Sequence, residues 1–282
     1  MAKKLGLCLT GGGARGSYQV GALKALEELD ILASVKVYSG TSIGAANAAI
    51  VASTSVKRLI EVWMDLAEDD IPKNDAPFIV KKDGRRNTLN FERGIYSMRA
   101  FEKLLLEAID FERLKDQEVY ATISHGGAKD EGLFQVFKSS YAQRFKKEGK
   151  GYYMPLNAFD KEKVQKIIVA SCSIPFFFAP VLLEERKYYD GGMFDNMPYT
   201  PLVECGCDEV IIVHLHKYRF SQPKHEAEGV KFHDIMPLKS ALGRVMKFSK
   251  ANSEKLYQLG YEDTLAYFKA LRKDIFEGLK NH

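Results

Sequence analysis

Apolar and polar residues follow two different periods along the first quarter of the chain. Leu5 to Thr10 and Val35 to Ser39 are short runs typical of buried strands. Ser17 to Leu29 and Val56 to Leu66 carry apolar residues at helical spacing, and the small residues of Ala45 to Val51 suit a helix held close to a sheet. Strand, helix, strand and helix predict a parallel sheet with right-handed crossovers, whose functional residues lie at the carboxyl ends of the strands.

The rest of the chain continues this alternation. Residues 69 to 97 lack periodicity, and we expect them to form a long surface loop that covers a neighbouring site. Helices are predicted at Ala100 to Ile109, at Asp160 to Ser171 and after Asn252, and strands at Val119 to Ser124, Leu133 to Ser139, Val181 to Tyr189 and Glu209 to His214, with a Gly-rich connection between the first two strands. The predicted fold class is α/β, with a central, mostly parallel sheet and helices on both faces.

By length and composition, one large α/β domain is as plausible as two smaller ones. The net charge of +4 is too small to indicate nucleic acid as a partner, although it would assist contact with an anionic membrane surface. The four cysteines do not form a disulfide framework, and no second ligand pair suggests a metal. No segment is long and apolar enough to be a signal peptide or a spanning helix, so we expect a cytoplasmic protein.

The first candidate motif is the glycine-rich segment Gly11-Gly12-Gly13-Ala14-Arg15-Gly16, between a strand and a helix. Its glycines expose backbone N–H groups, and the helix that follows adds its positive dipole end, so the segment favours an anion. A dinucleotide, a nucleotide phosphate or the oxyanion of an acyl transfer would fit. The strand that follows ends in Ser39-Gly40, without the acidic residue that a dinucleotide site expects, and a P-loop would need Lys after Gly16.

The second motif, Gly40-Thr41-Ser42-Ile43-Gly44, has the G-x-S-x-G spacing of a nucleophile elbow, in which a tight turn between a strand and a helix projects the serine hydroxyl. The third is Asp190-Gly191-Gly192 after a predicted strand. Asp-Gly is also an ordinary turn sequence, but a carboxylate at a strand end could supply the base that Ser42 requires.

These three motifs, in this order, resemble the patatin-like phospholipase family. Ala170 to Pro180 and Asn196-Met197-Pro198 also resemble segments of that family, so the likeness covers roughly residues 5–215. It implies a single domain over residues 1–282, with its core at 5–215 and a helical extension at 216–282 packed on that core. The resemblance implies a Ser-Asp dyad with Ser42 as nucleophile and Asp190 as general base. It also implies an oxyanion hole from the amides of Gly11, Gly12 and Gly13, a loop fixed by Arg15, no cofactor and no metal. The expected activity is hydrolysis of fatty-acyl esters in lipids or phospholipids.

Three alternatives remain open at this stage. His214, His216, His225 and His233 follow Asp190 in the order of a Ser-Asp-His triad. A lipid-binding protein on the same fold could lack catalysis, and a dinucleotide-dependent oxidoreductase would use the glycine segment differently.

Phe176-Phe177-Phe178 suits either core packing or an acyl-chain pocket, and Arg144 to Lys150 with Tyr152-Tyr153 suits either a solvated loop or contact with an anionic bilayer.

Overall fold

The computed structural model describes residues 3–65, 79–82, 86–89, 94–128, 151–216, 224–237 and 242–280. The strands are β1 (Leu5–Leu9), β2 (Val35–Thr41), β3 (Ile79–Lys82), β4 (Arg86–Leu89), β5 (Glu118–Ala128), β6 (Gly151–Pro155), β7 (Val181–Leu183), β8 (Arg186–Asp190), β9 (Glu209–Val213) and β10 (Lys231–Ile235). The α-helices are α1 (Ser17–Glu28), α2 (Ile43–Ser53), α3 (Val56–Asp65), α4 (Arg99–Ala108), α5 (Phe111–Leu114), α6 (Lys161–Ser171), α7 (Thr200–Glu204) and α8 (Lys250–Lys280). None of the helices within these ranges could cross a membrane by length and apolarity.

An eight-stranded sheet forms the centre of the fold. Strands β10, β9, β1, β2 and β5 are hydrogen-bonded in that order and run parallel. Strands β6 and β8 both pair with β5 in the antiparallel direction, and β7 pairs with β8. The predicted α/β class with a mostly parallel central sheet is therefore confirmed.

Both faces of this sheet are buried. Along β1, Leu7 and Leu9 belong to the larger apolar cluster, whereas Cys8 points to a second cluster with Val37 and Leu202. This alternation follows from the two-residue period of a strand. Helices α1 and α2 contribute to the larger cluster, and α7 contributes to the smaller one. Cover on both faces explains why β1, at the centre of the sheet, is apolar throughout.

The registers of β5 bring two distant segments together. Thr41, the last residue of β2, pairs with Thr122, and Asp190, the last residue of β8, pairs with Ile123. Strand β6 pairs with the same part of β5 and occupies its other edge. Strands β2 and β8 therefore share one edge of β5 and meet there with their carboxyl ends.

Three predicted elements differ from the structure. Within the segment expected to be a loop, β3 and β4 form an antiparallel pair; the sequence signal missed is the Asp83-Gly84 hairpin dipeptide between them. The strand predicted from Val181 to Tyr189 is two strands, because Glu184 and Glu185 adopt left-handed conformations with φ of 49° and 64°. In the Gly-rich connection expected after Ser124, residues 125–128 are instead the end of β5.

Glycine at position 126 has a packing reason within that extended strand. A Cβ there would lie 2.6 Å from the ring of Tyr189 on β8, so the glycine accommodates the aromatic side chain. Strands β6 and β10 were not predicted. The predicted strand Leu133 to Ser139 and the basic segment Arg144 to Lys150 lie outside the described residues.

The C-terminal helix crosses α1 with the two backbones in contact. A Cβ on Gly21 of α1 would overlap the carbonyl of Tyr257, and a Cβ on Gly260 of α8 would overlap the carbonyl of Tyr18. The hydroxyl of Tyr18 also donates a hydrogen bond to Asp263, at 3.0 Å. Helix α8 is thus fixed against the helix that follows the glycine-rich segment. The assignment of residues 1–282 to one domain stays a prediction.

Candidate active site

Ser42 occupies the sharp turn between β2 and α2. Its backbone has φ 56° and ψ −132°, a region that residues with side chains rarely adopt and that costs on the order of 1–3 kcal/mol. The residue is 4% exposed. The turn therefore places the serine on a strained backbone at the carboxyl end of β2.

The two glycines of this motif are required by close approach. A Cβ on Gly40 would overlap the backbone of Gly44, and a Cβ on Gly44 would overlap the carbonyl oxygen of Leu9 on β1. Both neighbours are backbone atoms, which cannot rotate away. Glycine at 40 lets the turn close on itself, and glycine at 44 lets α2 lie against β1.

Two serines at the end of α6 connect the turn to the aspartate. The hydroxyl of Ser171 accepts a hydrogen bond from the N–H of Ser42 at 2.9 Å and donates one to the carbonyl of Thr122 at 2.6 Å. The carbonyl of Ser173 accepts a hydrogen bond from the N–H of Asp190, at 3.0 Å. One short segment thereby holds the backbones of both predicted reacting residues.

Asp190 has one bound and one unbound carboxylate oxygen. Its Oδ1 accepts a hydrogen bond from the N–H of Gly192 at 2.8 Å. Its Oδ2 is buried and has no hydrogen-bond partner among the described residues. The residue that follows must again be glycine for steric reasons, because a Cβ on Gly191 would overlap the carbonyl of Thr122.

Burial changes the acidity of this carboxyl. Removal from water raises the pKa of Asp190 to about 6, while the nearby hydroxyl of Ser42 and the N–H of Gly192 favour the carboxylate and act in the opposite direction. Ser42 and Asp190 are therefore close enough to interact, although Oδ2 of Asp190 has no hydrogen-bond partner among the described residues. A carboxyl with this pKa is ionised at neutral pH and is a stronger base than an ordinary aspartate.

The glycine-rich segment passes beside the serine. A Cβ on Gly11 would lie 3.1 Å from the Cβ of Ser42, and the N–H groups of Gly11 and Gly12 donate no hydrogen bond to any described residue. Gly13 has φ 57°, and Gly16 lies against the indole of Trp63, where a Cβ would be 2.6 Å away. The segment thus offers unpaired donors next to the hydroxyl.

Asn196 lies where the glycine-rich segment meets the aspartate motif. Its Nδ2 donates to the carbonyl of Gly11 at 3.5 Å, and its Oδ1 would lie 2.5 Å from a Cβ on Gly11 and 3.2 Å from one on Gly192. The amide side chain therefore spaces these two backbones. The preceding residue also contributes, because the carbonyl of Asp195 accepts a hydrogen bond from the hydroxyl of Thr41 at 2.8 Å.

A cavity of about 420 Å³ opens at Ser42. Its wall is mainly apolar and comes from α2, α3, α4, the end of α6 and the segment before α8. The apolar lining side chains are Ile43, Val62, Met98, Phe101, Leu104, Cys172, Ile174, Phe178, Met246 and Phe248. Burial and the charge of Asp190 raise the pKa of the Cys172 thiol, so this neighbour of Ser42 is neutral.

Comparisons with known proteins agree with this geometry. The family model for patatin-like phospholipase matches residues 7–203, which include every motif described above. The chain belongs to the patatin-like phospholipase family. This membership supports lipid ester hydrolysis as the class of activity.

Relatives of this patatin-like chain include long fungal proteins. It is 28% identical over 221 residues to lysophospholipase nte1 of Aspergillus terreus and 24% identical over 240 residues to lysophospholipase NTE1 of Cryptococcus neoformans. The matches cover 75% and 81% of this chain but 12% of each fungal protein. Among solved structures, VipD from Legionella pneumophila aligns with a TM-score of 0.47 and 12% identity, over 96% of this chain and 67% of that one.

The histidines considered for a triad have other partners in the patatin-like fold. Asp234 binds the Nε2 atoms of His214 and His225, at 2.6 and 2.8 Å. His233 contacts Glu209 at 2.6 Å and the hydroxyl of Tyr267 at 3.0 Å. His216 lies near Arg15, and burial lowers its pKa. No histidine among the described residues lines the cavity or shifts the pKa of Asp190.

Several supporting residues escaped the sequence reasoning. A buried chain of amides links the indole N–H of Trp63 to Asn47 at 2.9 Å, Asn47 to Gln19 at 2.9 Å, and Gln19 to the carbonyl of Thr10 at 2.7 Å. Asn47 and Gln19 are polar residues among buried apolar positions of α2 and α1, which was the signal in the sequence. Ser171 belonged to the segment likened to the patatin-like family, but its contact with Ser42 had no local signature.

Proposed function

We propose that the chain is a lipid acyl hydrolase in which Ser42 is the nucleophile and Asp190 is the general base. The observation that carries the proposal is the buried Oδ2 of Asp190, which lacks a partner among the described residues and belongs to a carboxyl close enough to interact with Ser42. An unpaired buried carboxylate oxygen is costly and requires an explanation. Acceptance of the serine proton supplies one.

In the first half-reaction, the Ser42 oxygen attacks the carbonyl carbon of the ester while its proton passes to Asp190. The carbonyl oxygen becomes an oxyanion, and the N–H groups of Gly11, Gly12 and Gly13 donate to it. Collapse of this intermediate breaks the ester C–O bond, and the leaving alcohol takes the proton from Asp190. The product at this stage is an acyl ester of Ser42.

Water completes the cycle. Asp190 removes a proton from a water molecule, whose oxygen attacks the acyl carbon in the same pocket. The same N–H groups stabilise the second oxyanion, and collapse releases the fatty acid while Ser42 recovers its proton from Asp190. One oxyanion donor is worth about 3–4 kcal/mol of barrier, so the glycine segment contributes as much as the dyad. No step requires a cofactor.

The apolar cavity at Ser42 would receive the acyl chain. One end of the cavity is at Ser42, where the carboxyl end of the acyl chain would lie. Phe178 and Ile174 form part of the cavity wall, and both lie close to Asp190 in sequence. Phe178 is therefore the member of the triple phenylalanine that we assign to the acyl-chain pocket. Each methylene buried there contributes about 0.8 kcal/mol. The names of the fungal relatives make lysophospholipids the first substrates to test.

An exposed apolar patch next to this pocket would contact the lipid surface. Ile95, Phe176 and Phe177 are 36–38% exposed, although neighbouring Phe178 is buried in the cavity wall. The N–H of Tyr96 donates to the carbonyl of Phe177 at 2.8 Å, which holds the two segments of the patch together. We infer that this patch inserts into the bilayer interface and leads an acyl chain to the pocket.

Labelling with a fluorophosphonate, followed by mass spectrometry of products from a mixed lipid panel, tests the hydrolase proposal. We expect Ser42 to be labelled and free fatty acid to be released, with both lost in Ser42→Ala. Ser53→Ala is the matched control, because Ser53 is a buried helical serine bonded to the carbonyl of Ala49 at 2.7 Å. A folded protein that binds lipid without labelling or release would be a binding protein. Binding of a dinucleotide would favour the oxidoreductase.

Flotation with vesicles tests the exposed patch separately. Phe177→Ser should reduce recovery with phosphatidylcholine vesicles and slow hydrolysis of vesicle lipid, while hydrolysis of soluble p-nitrophenyl butyrate continues. Leu182→Ser is the control, since Leu182 is 45% exposed on β7 and does not line the cavity. Equal flotation of the two variants and the parent would refute the patch as the membrane contact.

A further inference from the structure

The segment Gly243–Phe248, here called the strap, lies beyond residues 7–203, which match the family model, yet it contacts the glycine-rich loop directly. The guanidinium of Arg15 donates to the carbonyl of Gly243 through Nε at 3.0 Å and Nη2 at 2.8 Å. The N–H of Ala14 donates to the carbonyl of Val245 at 2.7 Å. The predicted role of Arg15 in fixing the loop thus depends on the strap as its partner.

Steric contact adds to these hydrogen bonds. Gly13 is held in a left-handed conformation directly against the strap, because a Cβ at this position would overlap the carbonyl oxygen of Val245. The conformation of the loop that carries the unpaired N–H groups is therefore set partly by the strap backbone. Displacement of the strap would release three consecutive loop residues, from 13 to 15.

The same strap forms part of the cavity wall. Met246 and Phe248 line the cavity, and the ring of Phe248 stacks on Trp63 with centroids 6.4 Å apart. Through Trp63 and the buried amides of Asn47 and Gln19, this contact leads back to the carbonyl of Thr10, immediately before Gly11. One end of the strap thus contacts the glycine loop directly, and the other end reaches it through Trp63, Asn47 and Gln19.

We propose that the strap couples acyl-chain binding to the oxyanion hole, so that an acyl chain against Met246 and Phe248 stabilises the productive conformation of Gly11 to Arg15. This inference rests on the proposed function. Met246 and Phe248 are positioning and specificity-determining residues in it. Binding energy from the acyl chain then stabilises the transition state at the distant reacting carbonyl, which raises kcat rather than only lowering KM.

Steady-state kinetics on the acetate, butyrate, octanoate and dodecanoate esters of p-nitrophenol separate these parameters. In the parent protein, kcat should rise with chain length. Met246→Ala and Phe248→Ala should lower kcat for the dodecanoate ester by about tenfold, so that the dependence on chain length flattens. Leu104→Ala, in the same wall but outside the strap, should raise KM for that ester, and its kcat should still rise with chain length.

Two further measurements keep the test decisive. Met246→Leu and Phe248→Leu retain an apolar side chain and should restore the dependence of kcat on chain length. Fluorophosphonate labelling of Ser42 in each variant shows that the site is assembled. If labelled strap variants change only KM, or keep the chain-length dependence of kcat, the coupling is refuted. If the parent protein itself is not labelled, the proposed hydrolase function fails instead.

Discussion

The hydroxyl of Ser171 accepts a hydrogen bond from the backbone N–H of Ser42 at 2.9 Å, although the two residues are 129 positions apart in the sequence. The bond fixes the N–H of a residue with a strained backbone, and the same hydroxyl donates to Thr122 on the central strand β5. Ser171 therefore connects the turn at Ser42 to β5. The residue after Thr122 on this strand pairs with Asp190. The relative position of the two proposed reacting groups depends on this serine.

Ser171→Ala should lower kcat by about tenfold to a hundredfold, because a small displacement of the nucleophile has a large effect on rate. The variant also leaves a buried N–H without its acceptor, which should reduce the free energy of unfolding by about 1–3 kcal/mol. KM should change little, and Ser171→Thr should recover part of kcat. The measurements are steady-state kinetics and urea unfolding, with Ser53→Ala as a control that affects stability alone. Equal kcat in the two alanine variants would refute the positioning role.

The dependence of activity on pH should report the aspartate. Since Asp190 must be ionised to accept the serine proton and its pKa is raised to about 6, kcat/KM should fall below that pH, by about tenfold for each unit. A carboxyl pKa hardly changes with temperature, whereas that of an imidazole falls on warming. Profiles of p-nitrophenyl butyrate hydrolysis at two temperatures therefore identify the group. An acid limb that moves to lower pH on warming would indicate a histidine.

The same pKa predicts a stability gain on removal of the charge. The unfolded state ionises Asp190 at a pKa near ~3.9, but the folded state does so only at about 6. As pH rises between these values, the free energy of unfolding falls. The loss is complete above about pH 6 and amounts to up to about 3 kcal/mol. Asp190→Asn keeps an acceptor for Gly192 and should be inactive yet more stable at pH ~8.

Urea unfolding of this variant and its parent across the pH range provides the measurement. The difference in unfolding free energy should shrink as pH falls towards about 4, since both side chains are then neutral. Asp160→Asn is the control. Asp160 is an exposed cap of α6, and asparagine serves equally well at that position. A gain of the same size in the control, or none in Asp190→Asn, would contradict the cost assigned to the buried carboxylate.

Features with local signatures were accessible from the sequence. The apolar run of β1, the helical spacing of α1 and the small residues of α2 predicted the order of elements near Ser42. The steric reason at Gly40 is local too, because its close neighbour is Gly44, whereas the reason at Gly44 comes from Leu9 on β1. The left-handed pair Glu184 and Glu185 shows the opposite case, because neither residue type marks a hairpin turn.

Features formed by long-range contacts were not accessible in this way. The meeting of β2 and β8 on one edge of β5 depends on pairing registers, and a register cannot be read from either strand alone. The strap binds the glycine loop through backbone carbonyls, which leave no trace in side-chain identity. The partner proposed for the Ser42 side chain has a motif of its own in the sequence, whereas the acceptor of its backbone N–H, Ser171, has none.

Gly44→Ala should lower activity more severely than its size suggests. The added Cβ would overlap the carbonyl of Leu9, so α2 must move away from β1 and take Ser42 with it. We expect kcat to fall by about a hundredfold or more, with a lower melting temperature. Gly206→Ala is the matched control: φ is 77°, but no atom lies within 4 Å of the added methyl, so it should cost stability without loss of kcat. Similar kcat values in both variants would refute the steric argument.

Replacement of each histidine by alanine distinguishes the dyad from a triad. His214 and His225 share Asp234, and His233 contacts Glu209 and Tyr267, so their loss should lower the melting temperature through these contacts.

For His214→Ala, His216→Ala, His225→Ala and His233→Ala, we expect kcat on p-nitrophenyl butyrate to stay within about tenfold of the parent, because the proposed dyad transfers no proton through an imidazole. His216 lies near Arg15, so its variant is the most sensitive test of an indirect effect on the glycine loop. A fall of several orders of magnitude in any variant that keeps its fold would replace the dyad by a triad. The base would then be an imidazole, and the unpaired oxygen of Asp190 would need a different explanation.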